Sequence, residues 1–193
     1  MTTDRPTFPT RRAAAKRNRD KILDAARAAF AEPGVEVSMA EIARRAGVGM
    51  ATLYRNFPGR RELLEALYAG EVDALCEAAR ADDGQPPGEA LLAWLHRLFA
   101  FLPGKRLIVA ELLELSVDDS PVVDGSRARA LAAARPLLTA AQDAAEIRAD
   151  LTLEQIFDLV AAIAKISSDP RYLEPMLRTM LDGLRTPAAA QLD

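Results

Sequence analysis

Apolar residues recur at helical spacing along nearly the whole chain, and no stretch shows the alternation of a half-buried strand. From about Lys16 to Glu32, Ile22, Leu23, Ala26 and Phe30 fall on one helical face, and "EPG" at 32–34 ends that helix. Ser38 opens "SMAE", a capping box with Glu41 at the third helical position. A two-turn helix follows with Ile42 and Ala43 inward, and Gly47 stops it. After the Val48–Gly49 turn, a second short helix runs from about Met50 to Asn56, with Leu53 and Phe57 spaced i,i+4. Pro58–Gly59 breaks the pattern again, and a long helix starts near Arg60 and reaches about Ala81.

"DDGQPPG" at 82–88 reads as a linker. Beyond it the pattern predicts helices at about 88–102, stopped by Pro103–Gly104, and at about 105–116. "SVDDSPVVDG" at 116–125 reads as a loop. A helix from about 126 to 145 is expected to kink or break at Pro136. Helices at about 153–167 and 171–184 follow, divided by "SSDP". The expected class is all-α: a loose arm at 1–14, a three-helix head at 15–62, a larger helical body at 63–185 and a frayed tail at 186–193.

Two short helices joined by so tight a turn must cross closely and steeply. Ala43 supplies a small residue at the crossing, and Gly47, four positions on, tolerates positive φ. Ile42, Val48 and Leu53 are placed to lock both helices to a third. Together these spacings are those of a DNA-binding helix-turn-helix. With Leu53 and Phe57 inward, Met50, Ala51, Thr52, Tyr54, Arg55 and Asn56 cover the other faces. Arg55 suits guanine, Asn56 suits adenine, and Met50 or Ala51 can touch a thymine methyl. The Thr52 and Tyr54 hydroxyls suit phosphate oxygens, as does Arg60 at the start of the next helix. Ser38, Arg44 and Arg45, with Arg11, Arg12, Lys16 and Arg17 of the arm, add further backbone or groove candidates. For Arg44 and Arg45 a solvated helix face stays open, and for Tyr54 a half-buried packing role.

Charge sharpens this picture. Residues 1–61 hold 13 Lys and Arg against 6 Asp and Glu, a balance of +7; residues 62–193 hold 12 against 22, a balance of −10. A basic head in a chain of net charge −3 points to a polyanionic partner, double-stranded DNA, for that segment alone. One cysteine, Cys76, excludes an internal disulfide framework and suits a reducing cytoplasm. The opening residues lack a signal-peptide core, and the apolar runs fall short of a membrane span. A cytoplasmic protein without membrane partner is expected.

Residues 19–68 strongly resemble the N-terminal domain of the TetR family of bacterial transcriptional regulators, through Ile-Ala-x-x-Ala-Gly-Val, Thr-Leu-Tyr-x-x-Phe and Leu-Leu. The resemblance implies an all-helical homodimer that represses transcription and binds an effector in a variable C-terminal body. It implies backbone contacts for Thr52 and Tyr54, and a phosphate contact for Arg60, which stands where a Lys is usual. Gly49 stands where a capping Ser or Thr is often found.

The body has no such guide. Segment 88–116 is rich in large apolar residues, read as core that can be left partly unfilled as a pocket for a small apolar or amphipathic effector. Trp94, Leu98, Phe99, Phe101 and Leu112 are the candidate pocket residues. His96, the only histidine, reads as a surface residue or an effector contact; Glu111 and Glu114 read as solvated charges or as partners of a cationic ligand. On the last two helices Ile156, Val160, Ile163, Leu173, Leu177, Met180 and Leu181 are candidates for a dimer interface, with burial within one chain as the alternative. Cys76 and His96 lie in separate helices, and no phosphate loop, H-x-x-x-H pair or cysteine cluster appears. No enzyme, metal or cofactor is expected. A helical ligand-sensing or protein-binding module without sequence-specific DNA binding remains the other reading.

Overall fold

The computed structural model describes residues 11–32, 37–81, 84–114, 121–166 and 169–186. Residues 1–10 of the expected arm, parts of the expected turn at 32–34, linker at 82–88 and loop at 116–125, and the tail from 187 lie outside the described residues, as do the side chains of Arg11 and Glu114.

Eight helices form the described chain: α1 (Arg11–Ala31), α2 (Met39–Ala46), α3 (Met50–Asn56), α4 (Arg60–Ala78), α5 (Pro87–Glu114), α6 (Pro121–Asp143), α7 (Leu153–Lys165) and α8 (Pro170–Asp182). Among the described residues the only β feature is an isolated bridge between Ile147 and Arg185. The expected all-α class is what the chain adopts. No helix among the described residues is long and apolar enough to cross a membrane.

Two compact units divide the chain, Met1–Leu67 and Tyr68–Asp193. In the first, α1 packs on α2 and α3. Ile22, Ala26 and Ala29 of α1, Ile42, Ala43 and Ala46 of α2, Leu53 and Phe57 with α3, and Leu63, Leu64 and Leu67 of α4 are buried together as its core. Each large aliphatic side chain so enclosed contributes about 1.5–3 kcal/mol. In the second unit α5 packs on α6 and α7, and α7 on α6 and α8. Trp94, Leu95, Leu98, Ile108 and Leu112 of α5 are fully buried, and the Trp94 indole N–H donates to the Leu75 carbonyl at 3.1 Å.

Expected boundaries of three helices are corrected, and α6 in addition starts at Pro121, inside the expected loop at 116–125. α1 begins at Arg11, so 11–14 are helical; the alanine run 13–15 outweighs the breaking effect of the upstream prolines. α5 runs unbroken through Pro103–Gly104, and the expected second helix at 105–116 is its continuation. α6 runs through Pro136. A proline removes one helical hydrogen bond and costs about 3 kcal/mol, but buried residues on both sides of each outweigh it: Leu98 and Ile108 in α5, Ala134 and Leu138 in α6. Prolines instead open α5, α6 and α8 at their first turns, where the missing N–H is harmless.

Candidate functional site

The α2–α3 turn is built by its caps. Ser38, in extended conformation, accepts the Glu41 N–H at 3.2 Å through its hydroxyl. At the other end Gly47 takes φ +65°, and the Gly47 and Val48 N–H groups donate to the carbonyls of Arg44 and Ala43 at 3.2 and 3.0 Å. These are the paired bonds of a Schellman motif, and they need the left-handed residue at Gly47. Gly49 then starts α3 with its carbonyl accepting from Thr52 and Leu53, but has no side chain to cap the helix.

α3 lays Leu53 into the core with Phe57 behind it, both at most 1 % exposed. Met50, Ala51, Tyr54 and Arg55 are exposed on the opposite side, and Thr52 and Asn56 are half-buried at its edges. Arg55 donates to the Thr52 hydroxyl at 2.9 Å, and the Asn56 side-chain amide donates to the Thr52 carbonyl at 2.8 Å. The Thr52 hydroxyl accepts from Arg55, so its own proton is still directed elsewhere.

The surrounding cations divide into two kinds. Lys16 and Arg17 are exposed on α1. Arg45 is only 23 % exposed at its side chain and donates to both Glu41 and Glu32, tying α2 to the end of α1. Arg44 is 73 % exposed but also holds Glu41, at 2.7 and 2.8 Å. These donors hold the Glu41 carboxyl down at about 2, well below its usual range. Arg60 donates to the Val37 carbonyl and lies 5.5 Å over the Phe30 ring, so it braces the unit from the start of α4. Ser38 is occupied as a cap. Sequence reasoning missed Arg19: it lies 4.3 Å over the Phe57 ring and donates to the Asn56 carbonyl at 3.2 Å, closing the C-terminus of α3. An arginine one turn before the first buried residue, Ile22, is the only sequence signal it left.

The second unit holds a cavity of about 320 Å³. Its walls come from α4 (Tyr68, Val72, Leu75), α5 (Leu98, Phe101, Leu102), α6 (Ser126, Arg127, Ala130) and Phe157 of α7. Leu98 and Phe101 were expected there. Trp94 and Leu112 are instead packed solid at 1 % and 0 % exposure, and neither they nor Phe99 line this cavity. Trp94 borders a separate recess of about 30 Å³. Trp94 and Leu112 are core, and Phe99 is half-buried. The lining on α4 and α6, which the sequence did not reveal, lies outside the apolar-rich segment 88–116. His96 is exposed. Tyr68 hydrogen-bonds with Ser126, while burial pushes the Tyr68 hydroxyl pKa above its usual value.

On α7 and α8, Ile156, Val160, Leu173, Leu177 and Leu181 are at most 4 % exposed within the chain itself. These side chains are enclosed by the chain's own helices, whereas Ile163 and Met180 are half-buried. The exposed apolar residues of these helices are Leu159, Ile166, Tyr172 and Met176, at 38–62 %.

Two family descriptions match. Residues 22–67 match "Bacterial regulatory proteins, tetR family", and residues 86–186, over half the chain, match "Transcriptional regulator SbtR-like, C-terminal domain". The chain belongs to the TetR family. A crystallised TetR transcriptional regulator from Streptomyces coelicolor is 39 % identical, covering 88 % of this chain and 99 % of that one, with a TM-score of 0.74. A TetR transcription regulatory protein from Mycobacterium vanbaalenii is 36 % identical, covering 90 % and 98 %, with a TM-score of 0.73. An HTH-type transcriptional regulator of Staphylococcus aureus (strain USA300) is 42 % identical over 60 residues, 31 % of this chain and 32 % of that protein. The match thus spans about a third of such curated relatives. The first unit is accordingly the DNA-binding helix-turn-helix of a TetR-family transcriptional regulator. TetR-family regulators are in general transcription factors without enzymatic activity.

Proposed function

We propose that this TetR-family chain is a ligand-responsive repressor that binds a pseudo-palindromic operator as a homodimer. One observation carries the reading: α3 is anchored on one side by Leu53 and leaves Met50, Ala51, Tyr54 and Arg55 open on the other. A helix so held can lie in a major groove with that face on the bases. Arg55 and Asn56 would read bases, with Met50 and Ala51 against thymine methyls. Thr52, Tyr54, Arg60, Lys16 and Arg17 would hold phosphates, with Arg44 able to join by leaving Glu41.

The cavity supports ligand response. Its α4 wall starts at Tyr68, and α4 begins at Arg60 within the first unit, so a ligand that favours one placement of α4 would bias the spacing of two reading helices in a dimer. A coupling of about 1–3 kcal/mol makes a usable switch. Exposed Leu159, Ile166, Tyr172 and Met176 support a two-fold interface on α7 and α8.

The test is selection of genomic fragments by the purified chain, followed by footprinting. A two-fold symmetric footprint with one reading helix per half-site is expected. A footprint that stays asymmetric, or fragments bound without preference, contradicts the proposal.

A further inference from the structure

Apart from Arg127, the cavity of the second unit is apolar except at one buried point. We propose that it takes a compact, uncharged, ring-bearing molecule with one hydroxyl group, docked on Tyr68 and Ser126; this rests on the ligand-responsive reading above.

Ser126 is 4 % exposed, the one buried polar side chain among the described residues. The buried face of α6 is otherwise alanine and leucine, from Ala130 to Ala141. Packing alone would be served by another alanine, and a buried hydroxyl requires a partner. Tyr68 provides it from α4. A phenol both donates and accepts, so Tyr68 can meet Ser126 and one further hydroxyl at once. A ligand hydroxyl placed there is matched, whereas a purely hydrocarbon ligand gains nothing from the pair.

Charge decides against ions. Arg127 is the one charged side chain in the described wall. It is already met by Asp158 at 2.6 Å and lies 4.7 Å over the Phe157 ring. Behind Phe101, Lys105 is likewise met by Glu71 at 3.2 Å. An organic anion would have to draw Arg127 from Asp158, and a cation would face Arg127 with no carboxylate of its own. An unmatched charge in an apolar site is strongly disfavoured. Size and shape complete the class. About 320 Å³ lies near the lower end for small-molecule sites. Three rings, Tyr68, Phe101 and Phe157, line it, the first two tilted by 44° with centres 6.0 Å apart, an arrangement that offers both faces and edges to a ligand ring.

The test titrates the full chain at neutral pH with naphthol, naphthalene, naphthoate and naphthylmethylammonium, by calorimetry. Naphthol is expected to bind one per chain, roughly three- to tenfold tighter than naphthalene and more than about tenfold tighter than either ion. Tyr68→Phe and Ser126→Ala, which keep the ring and the backbone, should each remove most of the naphthol margin while leaving naphthalene binding in place. An ion that binds as tightly as naphthol, a margin that survives both substitutions, or no binding by any probe overturns the proposal. Operator affinity separates it from the reading beneath it. If naphthol binds as expected and no cavity ligand changes DNA affinity, the ligand class stands and ligand response falls. If a charged effector releases DNA while naphthol is excluded, ligand response stands and the class falls.

Discussion

The guanidinium of Arg19 lies 4.3 Å over the ring of Phe57, and the same side chain donates to the Asn56 carbonyl at 3.2 Å. α1 thereby holds the last turn of α3, where backbone carbonyls lack helical partners. Arg19→Ala is expected to cost about 1–2 kcal/mol of stability, the sum typical of an exposed cation–π contact and a hydrogen bond. It should also weaken binding to all DNA sequences alike, because it frees the end of α3 without touching a base. Urea unfolding and fluorescence anisotropy on two unrelated DNA duplexes check this; a change of preference between duplexes would place Arg19 on the bases instead.

Two helix ends make opposite uses of the left-handed region. Gly47 ends α2 at φ +65°, and Ala145 follows α6 at φ +55°, with the Ala145 and Glu146 N–H groups donating back to Gln142 and Ala141. A side chain at positive φ costs roughly 1–2 kcal/mol. Gly47→Ala should therefore destabilise by about 1 kcal/mol although the added methyl meets no atom within 4 Å. Ala145→Gly should stabilise, by up to about 1 kcal/mol after the greater chain entropy of glycine is subtracted. Thermal unfolding of both variants reads the two signs.

The carboxylate of Glu41 links Arg44 and Arg45, which hold its pKa at about 2 against an ordinary 4.5. Glu32 is lowered in the same direction by Arg45. A carboxyl with a depressed folded-state pKa adds stability that is complete above its unfolded value. That stability is lost as pH falls from about 4.5 through about 2. Glu41→Gln should flatten the stability profile across this window and leave its shape near neutrality unchanged. Denaturant midpoints from pH 2 to 7 measure it; an acid limb as steep as in the unaltered chain refutes the link.

Exposure separates outward from inward apolar residues on α7 and α8. Tyr172 is 62 % and Leu159 44 % exposed, while neighbouring Val160 is fully buried. Tyr172→Glu with Leu159→Glu should give a folded monomer with weakened operator binding. Val160→Glu should unfold the second unit, since an unpaired buried carboxylate costs several kcal/mol. Sedimentation with circular dichroism distinguishes the cases; a dimer that survives the double variant moves the interface elsewhere.

The first unit was legible because its signals are local. Ser38, Gly47 and the Leu53–Phe57 spacing act within a few residues, and each does in the structure what its chemistry demands. The helix at Pro103 and Pro136 was not legible, because the propensity of one residue competes with burial set by distant partners. The cavity failed in the same way. Trp94 and Leu112 have the composition of pocket residues, but whether a large apolar side chain fills a core or borders a void depends on what faces it. The partition of α7 and α8 into inward and outward apolar residues depends on α5 and α6 packing against α7, which no local signal encodes.

The measurement closest to the central claim is the affinity of Arg55→Ala for a selected operator and for its single-base variants, beside the unaltered chain and Tyr54→Phe. Arg55 and Tyr54 stand exposed on the same face of α3, which Leu53 anchors from behind. Arg55→Ala is expected to lose about 1–3 kcal/mol on the operator and nearly nothing on a variant altered at one guanine, so that preference at that base collapses. Tyr54→Phe should weaken all duplexes equally. Preference at every base left intact in Arg55→Ala would contradict the assignment of α3 as the helix that reads sequence through this face.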